Sequence, residues 1–141
     1  MISSNNERAI ANLLWAILYS QFIRKTEFRG CFGLAAVALF VQEGTHGHNH
    51  VRISNDLAAS FCNSFALNAI LHHFAPNAVE YDIISAAHVE RSLSRCFQKA
   101  NEIFKVPLLL EASDFLDPIA FCENSLILYL TAFCQSISRQ N

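Results

Sequence analysis

The sequence predicts an all-α domain, and three observations carry that expectation. Apolar residues recur every three or four positions in several stretches, no stretch alternates polar and apolar residues as a half-buried strand does, and proline or glycine punctuates the helical runs. The 141 residues are enough for one core and too few for two ordinary domains. No repeat, low-complexity tract or linker divides them, so residues 1–141 are read as a single domain of about four main helices joined by short ones.

The first helix opens at Ser4-Asn5-Asn6-Glu7, a serine followed three residues later by glutamate, in which each side chain can satisfy the other's backbone N–H. From Ile10 to Phe22 apolar residues fall on nearly every side (Ile10, Leu13, Leu14, Trp15, Ile17, Leu18, Tyr19, Phe22), which predicts a mostly buried helix. Arg24 and Lys25 follow, where positive charge suits the helix dipole. Next, Gly30, Gly33, Gly44 and Gly47 bracket the apolar run CFGLAAVALFV at 31–41, expected as a helix of about three turns. THGHNH at 45–50 reads as a surface loop. A helix from about Asp56 to Phe74 carries Leu57, Phe61, Phe65, Ala69 and Ile70 and ends at Ala75-Pro76. The clearest helix, HVERSLSRCFQKANEIF at 88–104, places Val89, Leu93, Cys96, Phe97, Ala100, Ile103 and Phe104 on one face and charges on the other. Val106-Pro107 breaks it, Ser113 to Leu116 is expected as a short turn before Asp117-Pro118, and a last helix spans about Glu123 to Ser138 with Leu126, Leu130, Phe133, Cys134 and Ile137 in a stripe.

Composition narrows function. Hydrophobic residues make up 52% and charged residues 16%, the balance of a folded globule. A net charge of −2 supplies no global positive field of the kind that drives general nucleic-acid or acidic-membrane binding, so neither partner is expected. Five cysteines, widely spaced and without a C-x-x-C pair, read as reduced and intracellular. Met1 leads into polar SSNNER, without a basic stretch and an apolar secretory core, and the 31–41 run is shorter than the roughly 20 residues of a membrane helix.

An ordered set of residues carries a family resemblance. The stretches SFCNSFALNAILHHFAPNAVEYDII, VERSLSRCFQKANEIFKVPLLLEASDFL and ENSLILYLTAFCQSI resemble the calponin-homology domain of cytoskeletal proteins. Ala66, Leu67, Ala69, Ile70, Leu71, His72 and Pro76 fit the family's A-L-x-A-L-I-H block and the proline that ends it. Ser92-Leu93, Cys96-Phe97, Ala100, Val106-Pro107, Leu109-Leu110, Asp114-Phe115, Glu123, Ser125, Tyr129 and Leu130 fit the remainder. The match is good over about 53–138 and looser at Leu13-Leu14-Trp15, while 26–50 is a divergent insertion or loop region without an aligned counterpart. Phe61 stands where the family has tryptophan, Asn63-Ser64 where it has Asp-Gly, and Lys105 where it has the glycine before isoleucine-proline.

The resemblance implies a compact bundle of the calponin-homology type and a non-enzymatic cytoskeletal role, with filamentous actin as the expected partner. In that family the actin surface draws on the first and last helices, which directs attention to Arg8, Asn12, Arg24, Lys25, Gln135 and Arg139. Arg91, Arg95 and Lys99, stepped by four on one polar face, read first as a solvated helix face. They are also the only basic helical cluster and so the alternative surface, suited to acidic tubulin or a ciliary component, although the net charge of −2 argues against that partner. A third reading is a scaffold module without direct filament binding, which depends on whether the 31–41 segment packs inward or outward. Association with the cytoskeleton in the cytoplasm, and a place as the N-terminal module of a longer chain, follow as expectations.

The remaining constellations favour plain readings. His72 and His73 are neighbours on a helix, so they point about 100° apart and do not readily share one ion. The resemblance places His72 in the framework. His46, His48 and His50 alternate in a glycine-containing loop as transition-metal ligands can, but no fourth ligand is fixed by spacing, and a solvated loop is preferred. No nucleophile elbow, H-E-x-x-H or glycine-rich phosphate loop appears, so neither catalysis nor a cofactor is expected. The twelve phenylalanines with Trp15 invite an aromatic ligand pocket, but most sit at core spacing and a core is preferred.

Overall fold

Four helices assemble the core: α1 (Leu34–Thr45), α3 (Ala66–Phe74), α4 (Val89–Phe104) and α5 (Glu123–Gln140), with the short α2 (Leu57–Phe61) preceding α3. The structure is a computed structural model, and its description covers residues 10, 13–14, 16–17, 19–54, 57–116 and 123–140. The Ser4-to-Glu7 start signal, Arg8, Asn12, Trp15, Leu18, Asp117-Pro118 and Cys122 lie outside the described residues.

The apolar run bracketed by glycines forms α1, displaced toward the C-terminus of the expected 31–41 span. Its buried positions are Ala36, Val37, Phe40, Val41 and Gly44, one stripe that faces the interior. Gly44, expected as a bracket, belongs to the helix. A Cβ built there would stand 2.9 Å from Ile70 Cγ1 on α3, so the missing side chain is what lets these two helices touch. The 34–45 segment is therefore structural, and the outward packing that would have made it a partner site is not seen.

Ahead of α1 the chain makes a five-residue π-helical segment, Tyr19–Ile23, and then a minimal antiparallel hairpin, β1 (Glu27–Phe28) with β2 (Cys31–Phe32). Arg29 and Gly30 turn the hairpin with φ of 52° and 83°, both in the left-handed region that two-residue hairpin turns require. The hairpin is an addition to the all-α expectation: two-residue strands are too short to register as alternation. Arg29 reaches back to α1, its Nε donating to Glu43 Oε1 at 2.9 Å and its Nη2 to Oε2 at 3.1 Å.

The expected single helix over 56–74 is broken at 62–65. Asn63 is the cause, because its Oδ1 accepts from Phe65 N at 2.8 Å and Ala66 N at 3.1 Å, while its Nδ2 donates to Ser60 O at 3.0 Å. A short polar side chain thus ends α2 and starts α3 by satisfying backbone groups that a continuous helix would have paired internally. Ser64 donates to Ser85 O at 2.7 Å and ties this corner to the chain before α4. Asn63-Ser64 accordingly builds a turn.

Beyond α3, three single-turn 3-10 helices (Pro76–Ala78, Tyr81–Ile83, Ala86–His88) lead into α4. Leu93, Cys96, Phe97 and Ala100 are buried from α4, as its stripe predicts. Its C-cap is Lys105 at φ 63°, a left-handed position usually given to glycine, with Val106 N donating to Ala100 O at 3.4 Å. The expected turn near Ser113 is a 3-10 helix, Ala112–Phe115, closed by a reciprocal capping box between Glu111 and Asp114. Along α5, Leu126, Tyr129, Leu130, Phe133, Cys134 and Ile137 are buried.

Aromatic rings knit these helices. Phe40 stacks on Phe74 at 5.2 Å, meets Phe28 edge-on at 5.5 Å and lies 5.5 Å from Phe133. Tyr129 joins Phe97 at 5.1 Å and Phe133 at 6.0 Å, and its buried hydroxyl has no hydrogen-bond partner among the described residues. Burial pushes the thiols of Cys96 and Cys134 up to about 12, so both act as apolar filler rather than nucleophiles.

The N-terminal helical residues depart most from expectation. Ile10, Leu13, Leu14 and Ile17 are each half or more exposed, although a mostly buried helix was predicted. Their spacing is that of one helical face, and periodicity identifies such a face without saying what covers it. Within the described residues the core is closed by α1, α3, α4 and α5, and these four side chains are outside it.

Candidate partner-binding surfaces

Of the residues singled out as partner-facing, the structure gathers one group from opposite ends of the chain. Lys25, just after the π-helical segment, and Arg139, on the last turn of α5, line a shallow cleft of 440 Å³ together with Gln21, Gln135 and Ser138. Arg24 and Lys25 are exposed, as is Arg139. Gln135 plays a different part from the one expected of a free contact residue. It is half-buried, and its Nε2 donates to Thr26 Oγ1 at 2.8 Å and to Phe22 O at 3.3 Å. This amide clamps α5 to the segment that carries Lys25, and Ser138 Oγ adds a bond to Glu27 O at 3.3 Å. Two cations are thereby held at a fixed edge. Glu27 lines the same cleft and tempers the local positive potential.

A second basic group lies on α4. Arg91, Arg95 and Lys99 share a face as their spacing predicts, and they line a separate cleft with His88. Lys99 approaches Glu102 at 3.7 Å, while Arg91 and Arg95 make no ion pair among the described residues.

The histidines resolve into two separate partnerships. His48 Nε2 lies 3.0 Å from His72 Nδ1, and both rings pack on Tyr81, at 4.8 Å and 5.8 Å. The Tyr81 hydroxyl donates to Asn49 O. His73 points elsewhere, 3.5 Å from Glu43. His50 packs on the Phe65 ring at 5.0 Å, and His46 is exposed, so the three loop histidines do not converge. Among the described residues no group of three or more His, Cys, Asp or Glu side chains is arranged to hold a metal ion.

This arrangement fixes the protons. His48 Nδ1 donates to His46 O at 3.2 Å, which leaves neutral His48 with Nε2 as acceptor for the N–H of His72 Nδ1. A proton added to His48 turns Nε2 from acceptor to donor, and the pair then holds only with the His72 proton moved to its Nε2. Burial lowers the His48 pKa, and the neighbouring His72 and His73 lower it further against the opposing carbonyl of His46. The unfolded chain, with histidine near 6.5, then binds the proton more readily than the folded one. The stability contributed is full above about pH 6.5 and is lost as pH falls through the folded value. Glu43, held below its ordinary range chiefly by the Arg29 hydrogen bond, adds a loss in the same direction at lower pH. Thermal melts between about pH 7 and pH 5 are expected to show a falling midpoint, with a shallower fall in His48→Gln. An identical slope in the variant would remove His48 as the cause.

With this geometry in place, comparison with known proteins identifies the class. The calponin homology (CH) domain matches residues 35–138, most of the chain. The protein belongs to the CH-domain family. Similar proteins include alpha-actinin A of Dictyostelium discoideum, 23% identical over 133 residues, which cover 94% of this chain and 15% of that protein. Human alpha-actinin-4 is 22% identical over 137 residues, 97% of this chain and 15% of its own length. The erythrocytic spectrin beta chain of Mus musculus is 26% identical over 148 residues, 98% of this chain and 7% of its own length. The chain thus spans a small part of these relatives. The family match includes α1, so residues 35–50 fall inside it, whereas Ile10, Leu13, Leu14 and Ile17 precede it.

Sequence reasoning named the cations as candidates and missed the contacts around them. The clamp by Gln135, the Glu43 pairing of Arg29 and the His48–His72 bond join residues far apart in the chain, and no local pattern encodes them.

Proposed function

We propose that this chain is a non-enzymatic cytoskeletal interaction domain that binds actin filaments through the edge formed by Arg24, Lys25 and Arg139. The observation that supports it most is the convergence of Lys25 and Arg139 on one cleft, held there by the Gln135 amide bond to Thr26, in a chain of the CH family with alpha-actinin and spectrin relatives. Arg8 and Asn12 belong to the same proposed surface by sequence. A filament is acidic, and a few exposed cations give attraction that salt screens, so binding is weak and salt-dependent. Action in the cytoplasm, in association with the cytoskeleton, accompanies this reading.

Co-sedimentation with actin filaments, and in parallel with microtubules, at low and at physiological salt tests it. Lys25→Glu combined with Arg139→Glu is expected to weaken actin pelleting roughly tenfold at low salt, since exposed pairs contribute about 0.2–1 kcal/mol each and reversal adds repulsion. Microtubule pelleting alone would move the assignment to the α4 face. Pelleting with neither would favour the scaffold reading, which the exposed Ile10, Leu13, Leu14 and Ile17 face supports.

A further inference from the structure

Between α4 and the 76–85 strip runs a cleft of 480 Å³ floored by buried Asn68 and Cys96. One wall presents Val79, Ile83 and Ile84, with Ile83 69% exposed. The other presents Arg91, Arg95 and Lys99. Among the described residues Glu80 is the one carboxylate that lines the cleft, and Arg91 and Arg95 make no ion pair. Lys99 is paired with Glu102 at 3.7 Å, so Arg91 and Arg95 are the two cations of the cleft left without an acidic partner among the described residues. Like charges four apart on a helix repel, so the face gains from an external anion.

We propose that this cleft binds an extended acidic segment of a partner protein, with carboxylates at alternate positions along Arg91, Arg95 and Lys99 and apolar side chains between them against Val79, Ile83 and Ile84. The spacing supports an extended occupant. Four residues of helix rise about 6 Å, and two residues of extended chain about 6.6 Å, so every second side chain of the segment keeps step with every fourth residue of α4. Alternate side chains of an extended chain point to opposite sides, which matches one cationic wall and one apolar wall. A lipid headgroup concentrates its charge at one point and leaves the apolar wall uncovered. The site shares no residue with the Lys25 and Arg139 edge and stands independently of the filament reading.

The test is fluorescence anisotropy of a labelled peptide alternating glutamate and valine, titrated with the full 141-residue chain. A peptide of the same composition with its glutamates in one block, a lysine-valine peptide, and vesicles of phosphatidylcholine with phosphatidylserine serve as the other arms. The alternating acidic peptide is expected to bind best and to weaken with salt. Arg91→Glu with Arg95→Glu is expected to cost roughly tenfold, and Ile83→Ser roughly threefold. Circular dichroism melts matching the parent establish that each variant is folded, and Arg91→Gln with Arg95→Gln serves where charge reversal disturbs α4. Equal binding of the blocked peptide, indifference to both α4 substitutions, or binding to vesicles alone would overturn the proposal. The Lys25→Glu, Arg139→Glu chain should keep the peptide, so loss of actin pelleting in that variant bears on the filament reading only.

Discussion

Gly44→Val is expected to destabilise the domain by about 3 kcal/mol or more, and Gly44→Ala by about 1–2 kcal/mol. Ordinarily an alanine in a helix interior stabilises by about 1 kcal/mol relative to glycine, so the sign here is the informative part. A Cβ at position 44 would meet Ile70 Cγ1 at 2.9 Å and the Ile70 Cα and Cβ at 3.2 Å. Ile70 is fully buried and one contact is with backbone, so relief requires α1 and α3 to separate rather than one side chain to turn. Urea unfolding of both variants measures the loss. Gly44→Ala combined with Ile70→Ala should show a favourable coupling, because the second change removes the nearest clashing atom. A more stable Gly44→Ala would mean that the helices yield without cost.

Phe40→Ala should cost about 3–5 kcal/mol, the range for truncating a fully buried aromatic. Phe40 is 0% exposed and touches Phe28, Phe74 and Phe133, so its ring links the hairpin, α3 and α5 through α1. Its removal opens a void at the centre of three ring contacts, which the helices can close only by moving together. Phe32→Ala is the internal control: that ring is 61% exposed on the hairpin, and a change within about 0.5 kcal/mol is expected. Comparable losses at the two positions would show that the aromatic centre does not organise the core. Against a total stability of about 5–15 kcal/mol, the Phe40 variant can fall close to unfolding at physiological temperature.

The parts legible in the sequence were those governed by local rules. The α4 helix runs sixteen residues without interruption, with Leu93, Cys96, Phe97 and Ala100 of its expected stripe buried and Ile103 exposed, and its ends, Val89 and Phe104, lie close to where periodicity and Val106-Pro107 place them. Pro76 likewise ends α3, because the residue before proline is driven out of helical geometry. The family resemblance over the second half of the chain rested on the same locally patterned residues.

What escaped the sequence depended on tertiary partners. Asn63 interrupts a helix through two side-chain bonds that helical spacing does not report. Gly44 looked like punctuation because only the neighbouring Ile70 reveals why a side chain is missing. The apolar face at Ile10, Leu13, Leu14 and Ile17 was visible, but its exposure was not. For the candidate surfaces, the row on α4 is a one-helix pattern and could be read directly. The pairing of Lys25 with Arg139 needed the fold to bring the two ends of the chain together.

The Tyr129 phenol supplies the domain with its own optical gauge. Burial, with a smaller contribution from Cys96, drives its pKa far above the ordinary tyrosine value, so in alkali the ring stays protonated while the core is closed. In an opened chain the same group ionises near pH 10, and the phenolate absorbs at longer wavelength than the phenol. A slow component of phenolate absorbance after a jump to alkaline pH therefore clocks the opening of the helices around this ring, without a label or a substitution.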